Sequence, residues 1–304
     1  MKPLIKSLIV LLIIIFVIMV IILYSLKTEI YERKITSLLR NLEKENGLVL
    51  NIWVSDEKFL DKLKDNKIKY LFVDVGDTNS KGSLTTSNED IQSFLELVRV
   101  YEKNNNYNFI LLPYSEINTY TYDIASKDFQ RNFIKDYKSL INLGFDGVYV
   151  DIEPVQFNHR KLYLKFLESL HKEIPQDSIL SVYSGSLGDS DNEWEWNLDF
   201  YQEVSNRVNL IFVPGYDINI EDEDEYSNYM KSQILQLSSR NLNSYFILGV
   251  PTHKKNPENI NNALKAYKEA TNNNPDNKFI GVAIFSEWTI QDRDWKIYEK
   301  IMVE

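Results

Sequence analysis

The chain has 304 residues, of which 44% are hydrophobic and 26% charged, an ordinary globular composition that excludes disorder as its main theme. Its formal net charge is −10, and its Lys and Arg residues form no stripe, so nucleic acid is not an expected partner, because neutralising phosphates requires a basic surface. A neutral or cationic partner fits better. The absence of cysteine excludes disulfides, cysteine-ligated zinc and thiol catalysis.

The N-terminal segment, residues 1–26, is predicted to anchor the chain in a lipid bilayer. Every residue from Leu8 to Leu23 is apolar, and a helix from Ser7 to Leu26 spans roughly 30 Å, the thickness of the hydrocarbon layer. A cleaved signal peptide has a shorter apolar region and small residues at the cut site, so the pattern favours an uncleaved single-pass anchor in the cell membrane. Basic residues flank both ends and leave the orientation open.

Residues 27–47 are predicted to form a helical stalk. Polar Glu, Lys and Arg side chains occupy one helical face, and apolar residues recur on the other at Tyr31, Ile35, Leu38, Leu39 and Leu42. Such a helix can dock on the following domain, act as a solvated spacer or pair with another copy, and the pattern favours the first two.

From residue 48 to residue 304, short apolar runs alternate with helical patterns, which is typical of parallel βα repetition. The predicted strands are Leu48 to Val54, Tyr70 to Val75, Phe109 to Pro113, Val148 to Glu153, Ile179 to Tyr183, Leu210 to Pro214, Tyr245 to Pro251 and Phe279 to Phe285. Helices are predicted around Lys58 to Asn66, Glu89 to Lys103, Lys127 to Leu143, His159 to Lys172, Leu198 to Asn206, Glu225 to Arg240, Pro257 to Thr271 and Arg293 to Met302. Eight units predict an α/β fold, a (β/α)8 TIM barrel. A doubly wound sheet is disfavoured, because no Gly-rich phosphate loop follows the first strand.

The fourth predicted strand carries the strongest candidate site. Side chains alternate along a strand, so Tyr149, Asp151 and Glu153 share the face that points into the barrel mouth, where the active sites of such barrels form. Asp151 and Glu153 lie ~7 Å apart along the strand and can hydrogen-bond to one another. Proximity and partial burial are expected to raise one pKa, leaving a protonated acid beside an ionised partner, as glycosidases require. Two merely solvated carboxylates are the alternative, but inward-facing acids are costly without a purpose.

Three segments resemble the family 18 glycoside hydrolases, the chitinase and endo-β-N-acetylglucosaminidase group. Asp146-Gly-Val-Tyr-Val-Asp-Ile-Glu153 is similar to the family signature Asp-Gly-x-Asp-x-Asp-x-Glu, with Tyr149 in place of the first, inner aspartate. The sixth strand, Asn209-Leu-Ile-Phe-Val-Pro-Gly-Tyr-Asp217, is similar to the strand ending in Met-x-Tyr-Asp. The eighth, Gly281-Val-Ala-Ile-Phe-Ser-Glu-Trp288, is similar to the strand whose terminal Trp lies beneath the sugar. The family's Ser-x-Gly-Gly is replaced by Leu112-Pro-Tyr-Ser-Glu116.

The resemblance implies a TIM barrel that cleaves a polysaccharide or oligosaccharide containing β-linked N-acetylhexosamine by a substrate-assisted retaining mechanism without a cofactor. In that mechanism Glu153 is the acid/base, and Asp151 orients the 2-acetamido group of the sugar. Tyr216 hydrogen-bonds the attacking carbonyl, Asp217 holds the sugar and Trp288 stacks beneath it. A glycosidase meets such a substrate outside the cell, so the barrel is expected to be extracellular.

Further candidates lie on the same rim. Tyr114 and Glu116 follow the third strand, and Trp194 and Trp196 lie in the long loop after the fifth, where either could serve as a sugar platform or pack in the core. The three histidines are scattered, so no metal site is expected.

The sequence is compatible with two other functions. A related barrel hydrolase that acts on a galactosamine-type polymer can share the Gly-Phe-Asp-Gly strand end. A catalytically weak or inactive glycan-binding barrel is the other: retention of Glu153 argues against it, and Tyr149 at the inner position argues for it.

Overall fold

The computed structural model describes residues 44–54, 56–272 and 277–304, together with Met19, Leu42 and Asn274. Apart from these single positions, the predicted anchor and most of the predicted stalk lie outside the described residues. Within the described part of the chain, no helix combines the length and apolarity needed to cross a membrane. The segment Glu43–Glu304 forms one compact unit.

Strands and helices alternate along this unit, as the sequence predicts. The strands are β1 Asn46–Asn51, β2 Ile68–Asp74, β3 Ile110–Tyr114, β4 Glu116–Asn118, β5 Gly147–Glu153, β6 Ile179–Tyr183, β7 Ser186–Leu187, β8 Glu195–Trp196, β9 Leu210–Pro214, β10 Tyr245–Pro251 and β11 Phe279–Phe285. The helices are α1 Glu57–Asp65, α2 Asn88–Asn105, α3 Lys127–Leu143, α4 Arg160–Glu173, α5 Leu198–Ser205, α6 Glu223–Ser239, α7 Ile260–Thr271 and α8 Asp292–Tyr298. A 3₁₀ turn, Phe157–His159, precedes α4, and a π-helical turn, Glu299–Val303, follows α8.

Nine of the strands form one parallel sheet in the order β3-β2-β1-β11-β10-β9-β6-β5-β4, and β7 pairs separately with β8. The outermost strands, β3 and β4, are successive segments of one stretch of chain with only Ser115 between them. The two edges of the sheet therefore meet, and the barrel is nearly closed. Asp146 ties this seam at the other end: its N–H donates to the Leu111 carbonyl at 3.0 Å, and its Oδ2 accepts the Leu111 N–H at 2.8 Å. The predicted α/β barrel is confirmed in this form.

Alternation along β5 produces the two faces that the sequence predicts. Val148, Val150 and Ile152 are buried in the large apolar cluster that also holds residues from the surrounding helices. Tyr149 points the other way, into the barrel, where its ring packs edge-on against Phe72 at a centroid distance of 4.8 Å. The inward face of β5 therefore leads from an aromatic interior to carboxylates at the strand end.

Most helices begin where a polar side chain accepts an N–H group of the first turn. Helix N-termini leave such groups without backbone partners, so these side chains set the starting points. The capping residues are Asp56, Ser87, Ser126, Asn197, Asp222 and Asn259. Because the helix starts lie on the loops that follow the strands, the caps also shape the face that carries the site.

Two predicted strand boundaries are wrong for local reasons. The first strand ends at Asn51, not Val54, because the Asn51 side chain accepts the Trp53 N–H at 2.9 Å and closes a turn. The third strand does not stop at Pro113: it reaches Tyr114 and resumes as β4, which pairs with β5. The sequence pattern did not predict β4, because two of its three residues are polar.

Two predicted helix boundaries differ from the structure by three residues or more. The helix predicted from Pro257 begins at Ile260, because Asn259 Oδ1 accepts the Asn262 N–H at 3.1 Å and acts as the N-cap. The last predicted helix keeps its α-helical form only to Tyr298 before the π-helical turn.

Candidate active site

A cavity of about 570 Å³ opens at the face where the barrel strands end. Its wall includes every residue that the sequence singled out, namely Glu153, Asp151, Tyr216, Asp217, Trp288, Tyr149, Tyr114, Glu116 and Trp194. These residues come from five parts of the chain, so the fold brings together what the sequence separates.

Glu153 is the last residue of β5, and Asp151 lies two positions before it on the same face. The pairing of β4 with β5 sets Glu116 opposite Asp151. Burial, followed by the charges of Glu116 and Asp217, raises the pKa of Glu153 to about 8. Burial, followed by the charge of Glu153, holds the pKa of Asp151 well above its usual range. Both carboxyls thus favour the protonated form, where the sequence predicted a raised pKa for one.

Asp151 and Glu153, both within the described part of the chain, do not form the hydrogen bond that the sequence allows. Residues two apart on a strand have Cα atoms ~7 Å apart, a separation well beyond hydrogen-bond distance. The Asp151 side chain is 9% exposed, and its buried Oδ1 has no hydrogen-bond partner. A buried acceptor without a partner is uncommon in proteins, and it points to a donor that a ligand supplies.

Tyrosines form the inner wall of the cavity. Tyr149 is 2% exposed and contacts Tyr114 edge-on at 5.2 Å between ring centroids. Tyr216 stacks on Phe285 at 4.8 Å between ring centroids, and its hydroxyl interacts with that of Tyr183. Burial raises the pKa of Tyr149 and Tyr216 well above the usual value, so both hydroxyls keep their protons. The Tyr216 hydroxyl is therefore available as a donor in the cavity.

Asp217 differs from the other acids because it has cationic partners. Its carboxylate pairs with Lys254 and lies 3.7 Å from His253 Nε2. The hydrogen bond from His253, with a further contribution from Lys254, lowers the pKa of Asp217 to about 2. Asp217 is thus a fixed negative charge beside the protonated Glu153.

The two tryptophans of the long loop have different environments. Trp194 is 45% exposed at the cavity mouth, and its carbonyl accepts the Ser186 N–H at 3.1 Å. Trp196 is fully buried against Phe200 and Tyr201 and belongs to the core. Trp288 is 48% exposed and also lines the cavity, so Trp194 and Trp288 are both accessible to a ligand.

The acids of the cavity do not form a metal centre. Over the described residue ranges, no group of three or more His, Asp or Glu side chains has the arrangement that would hold a metal ion. His253, the histidine nearest the site, is engaged with Asp217.

No protein-family model and no curated protein sequence matches this chain. Solved structures do match it. The spore cortex-lytic enzyme SleL of Bacillus megaterium has a TM-score of 0.57 at 13% identity, over 84% of this chain and 74% of that chain. A chitinase of Chromobacterium violaceum has a TM-score of 0.57 at 11% identity, over 85% and 99% of the two chains. A chitinase of Rhizomucor miehei has a TM-score of 0.58 at 11% identity, over 84% and 99%. These matches establish a shared fold.

Three acidic or phenolic residues of the cavity wall were not predicted from the sequence. Asp74 and Tyr183 are the last residues of β2 and β6, and the strand-end rule that selected Glu153 selects them too. Glu193 was not predictable from a pattern, because it reaches the wall through the paired segments β7 and β8. Its Oε2 accepts the hydroxyl proton of Tyr120 at 3.1 Å across the cavity mouth.

Proposed function

We propose that this chain is a glycoside hydrolase that cleaves glycans containing β-linked N-acetylhexosamine, of a cell-wall or chitin-like kind, with Glu153 as the acid/base. The observation that carries the proposal is the state of Glu153: it lies at a strand end in the cavity with a pKa of about 8. A carboxyl that is protonated near neutral pH can act as a general acid. Proteins named chitinase and spore cortex-lytic enzyme share the barrel, which supports the same chemistry.

In the first step Glu153 donates its proton to the glycosidic oxygen while the bond from that oxygen to the anomeric carbon breaks. The carbonyl oxygen of the sugar's own 2-acetamido group attacks the anomeric carbon from the other side and forms an oxazolinium ion. In the second step ionised Glu153 takes a proton from water, and the water oxygen attacks the anomeric carbon. The bond from that carbon to the acetamido oxygen breaks, which opens the oxazolinium ring and restores the acetamido group. The configuration of the sugar is retained, and no protein nucleophile is required.

The neighbouring residues have distinct roles in this mechanism. Asp151, with its partnerless Oδ1, accepts the acetamido N–H and orients the acetamido group. The Tyr216 hydroxyl donates to the attacking carbonyl oxygen and orients it. Asp217 binds sugar hydroxyls as a permanent acceptor, and Trp288 stacks beneath the ring.

Tyr149 favours a second candidate, a barrel that binds glycan with weak or no turnover. Tyr149 occupies the position at which the signature of the family 18 glycoside hydrolases has its inner aspartate. Its ring is packed among aromatic residues of the barrel interior. Asp151 therefore has no carboxyl beside it on the inner side with which to share a proton.

We also propose that residues 1–26 anchor the protein in the cell membrane with the barrel outside the cell. The uninterrupted apolar run from Leu8 to Leu23 supports the anchor. Fractionation should recover the full-length chain with membranes after alkaline extraction, and externally added protease should degrade the barrel on intact cells. Recovery in the soluble fraction would contradict the anchor.

The function is tested with purified full-length chain in mild detergent. Oligomers of β-linked N-acetylglucosamine should be hydrolysed with retained configuration, observed by proton NMR, whereas matched oligomers with a 2-hydroxyl in place of the acetamido group should resist. A galactosamine polymer distinguishes the rival hydrolase. Binding of the acetylated oligomers without any cleavage would favour the non-catalytic barrel.

A further inference from the structure

The charge of the cavity wall is one-sided. Six carboxyl side chains line it, and none of the lining residues is Lys, Arg or His. The carboxyls belong to Asp74, Glu116, Asp151, Glu153, Glu193 and Asp217. The acids of the wall therefore repel one another and attract cations.

Three of these acids have protein partners that stabilise their carboxylates, one through an ion pair and two through hydrogen bonds. Asp217 is paired with Lys254, Asp74 Oδ1 accepts the Gly76 N–H at 2.8 Å, and Glu193 accepts the Tyr120 hydroxyl. Arg160 lies within electrostatic range of Glu193 as well.

The other three carboxyls have no such partners; they belong to Glu116, Asp151 and Glu153. Over the described ranges of the chain, no ion pair and no side-chain hydrogen bond engages their carboxyls. Glu116 is exposed toward the cavity and lies opposite Asp151 in the strand register. The buried, partnerless Oδ1 of Asp151, on the strand that pairs with β4, marks this part of the cavity as a place where an acceptor lacks a protein donor.

Asp151 and Glu153 favour their protonated forms, so the charge that a neutral, fully N-acetylated glycan would leave uncompensated is that of Glu116. A hexosamine without its acetyl group carries an ammonium at the 2-position, with three donors and one positive charge. Substrate assistance requires an acetamido group at the unit that is cleaved, so the ammonium must belong to a neighbouring unit. Glu116, exposed in the cavity wall, is the unpartnered acid that such a unit can reach.

We propose that the cavity recognises partly de-N-acetylated glycans, with the ammonium of a glucosamine-type unit bound at Glu116 next to the N-acetylated unit held at Asp151 and Glu153. The inference rests on the proposed function for the acetylated unit alone. Recognition of the ammonium is a property of the cavity's charge and is measurable without turnover.

Binding to the full-length Glu153→Gln variant tests the proposal, because this variant holds substrate without cleaving it. Two β-linked glucosamine oligomers of equal length are compared by calorimetry, one fully N-acetylated and one with alternate units de-N-acetylated, below about pH 7, where an amine of this kind is protonated. The amine-bearing oligomer should bind roughly tenfold more tightly at low salt, and the advantage should shrink as salt screens the charges.

The variant Glu116→Gln, made in the same background, should remove most of that advantage. Glu96→Gln is the matched control, because Glu96 is an exposed glutamate of α2 that does not line the cavity, and it should keep the advantage. Thermal unfolding of both variants checks that they fold.

Equal affinity for the two oligomers, or an advantage that Glu116→Gln leaves intact, would overturn the inference. Neither result depends on hydrolysis by the wild-type chain. If the wild-type chain cleaves neither oligomer but the amine-bearing one still binds more tightly through Glu116, the proposed function fails and the recognition of the ammonium stands.

Discussion

The Glu258 carboxylate accepts the backbone N–H of Asp217 at 2.7 Å, although 41 residues separate the two along the chain. It also accepts the N–H groups of Ile218 and Ile220 at 3.1 and 3.3 Å. Asp217 and Asn219 adopt left-handed φ angles of 58° and 63°, which are costly for residues other than glycine. The buried Glu258 thus maintains the backbone shape that aims Asp217 at the cavity.

Replacing Glu258 with alanine should therefore damage binding more than chemistry. Three backbone N–H groups lose their acceptor, which should lower the free energy of unfolding by about 2–4 kcal/mol and raise KM roughly tenfold with a smaller change in kcat. Thermal unfolding and steady-state kinetics measure both effects. Glu258→Gln keeps one acceptor oxygen and should fall between wild type and Glu258→Ala. A folded alanine variant with unchanged KM would show that Asp217 does not hold the sugar.

Tyr183 is expected to be a positioning residue that acts through Tyr216. Its hydroxyl interacts with that of Tyr216 in the cavity wall, and we expect it to orient the proton that Tyr216 offers. Tyr216→Phe should lower kcat about 100-fold, and Tyr183→Phe about tenfold with little change in KM. In the double variant the losses should not add, because both act on one hydrogen bond. Fully additive losses would mean that Tyr183 acts independently.

The exposed tryptophans should contribute to substrate binding by stacking. Trp288→Ala and Trp194→Ala should each raise KM about tenfold, with Trp288 also lowering kcat because it lies at the cleaved unit. Trp53 is 59% exposed but does not line the cavity, so Trp53→Ala is the matched control and should keep both constants. Equal effects of all three substitutions on KM would refute a specific stacking role.

The raised pKa of Glu153 has a consequence for stability. The folded protein binds this proton up to about pH 8, whereas an unfolded glutamate releases it near pH 4.5. The stability that Glu153 contributes is fully present below about pH 4.5 and is lost as the pH rises through about 8. Glu153→Gln never ionises. At about pH 8 its free energy of unfolding, measured by thermal unfolding, should therefore exceed that of wild type by at least about 1 kcal/mol, with no such gain at about pH 4.5. A gain that does not vary with pH would contradict the raised pKa.

Much of the barrel follows from local patterns in the sequence. The predicted bounds of β6, β9, β10 and β11 agree with the structure at both ends, because each is a buried apolar run followed by polar residues. Burial on both faces is what parallel strands require, so composition alone marks them. The seam at Ser115 was beyond such patterns, since β4 exists through its pairing with β5.

The candidate site was predictable to the extent that it depends on strand ends. Parity along β5 places Asp151 and Glu153 in the cavity, and the same rule extends to Asp74. The environment of each acid was not predictable, because the cations beside Asp217 and the absence of a partner for Asp151 Oδ1 depend on tertiary contacts. Membership of the wall could be inferred from the sequence, and charge states could not.

The most direct test of the proposed function is hydrolysis of N-acetylglucosamine oligomers by the full-length Glu153→Gln variant. The amide keeps the size of the side chain but cannot donate a proton to the leaving oxygen. Turnover should therefore fall by at least about 1,000-fold, while affinity for the oligomer stays within about threefold of wild type. The control Glu96→Gln should retain wild-type turnover. Equal turnover by wild type and Glu153→Gln would contradict the assignment of Glu153 as the acid.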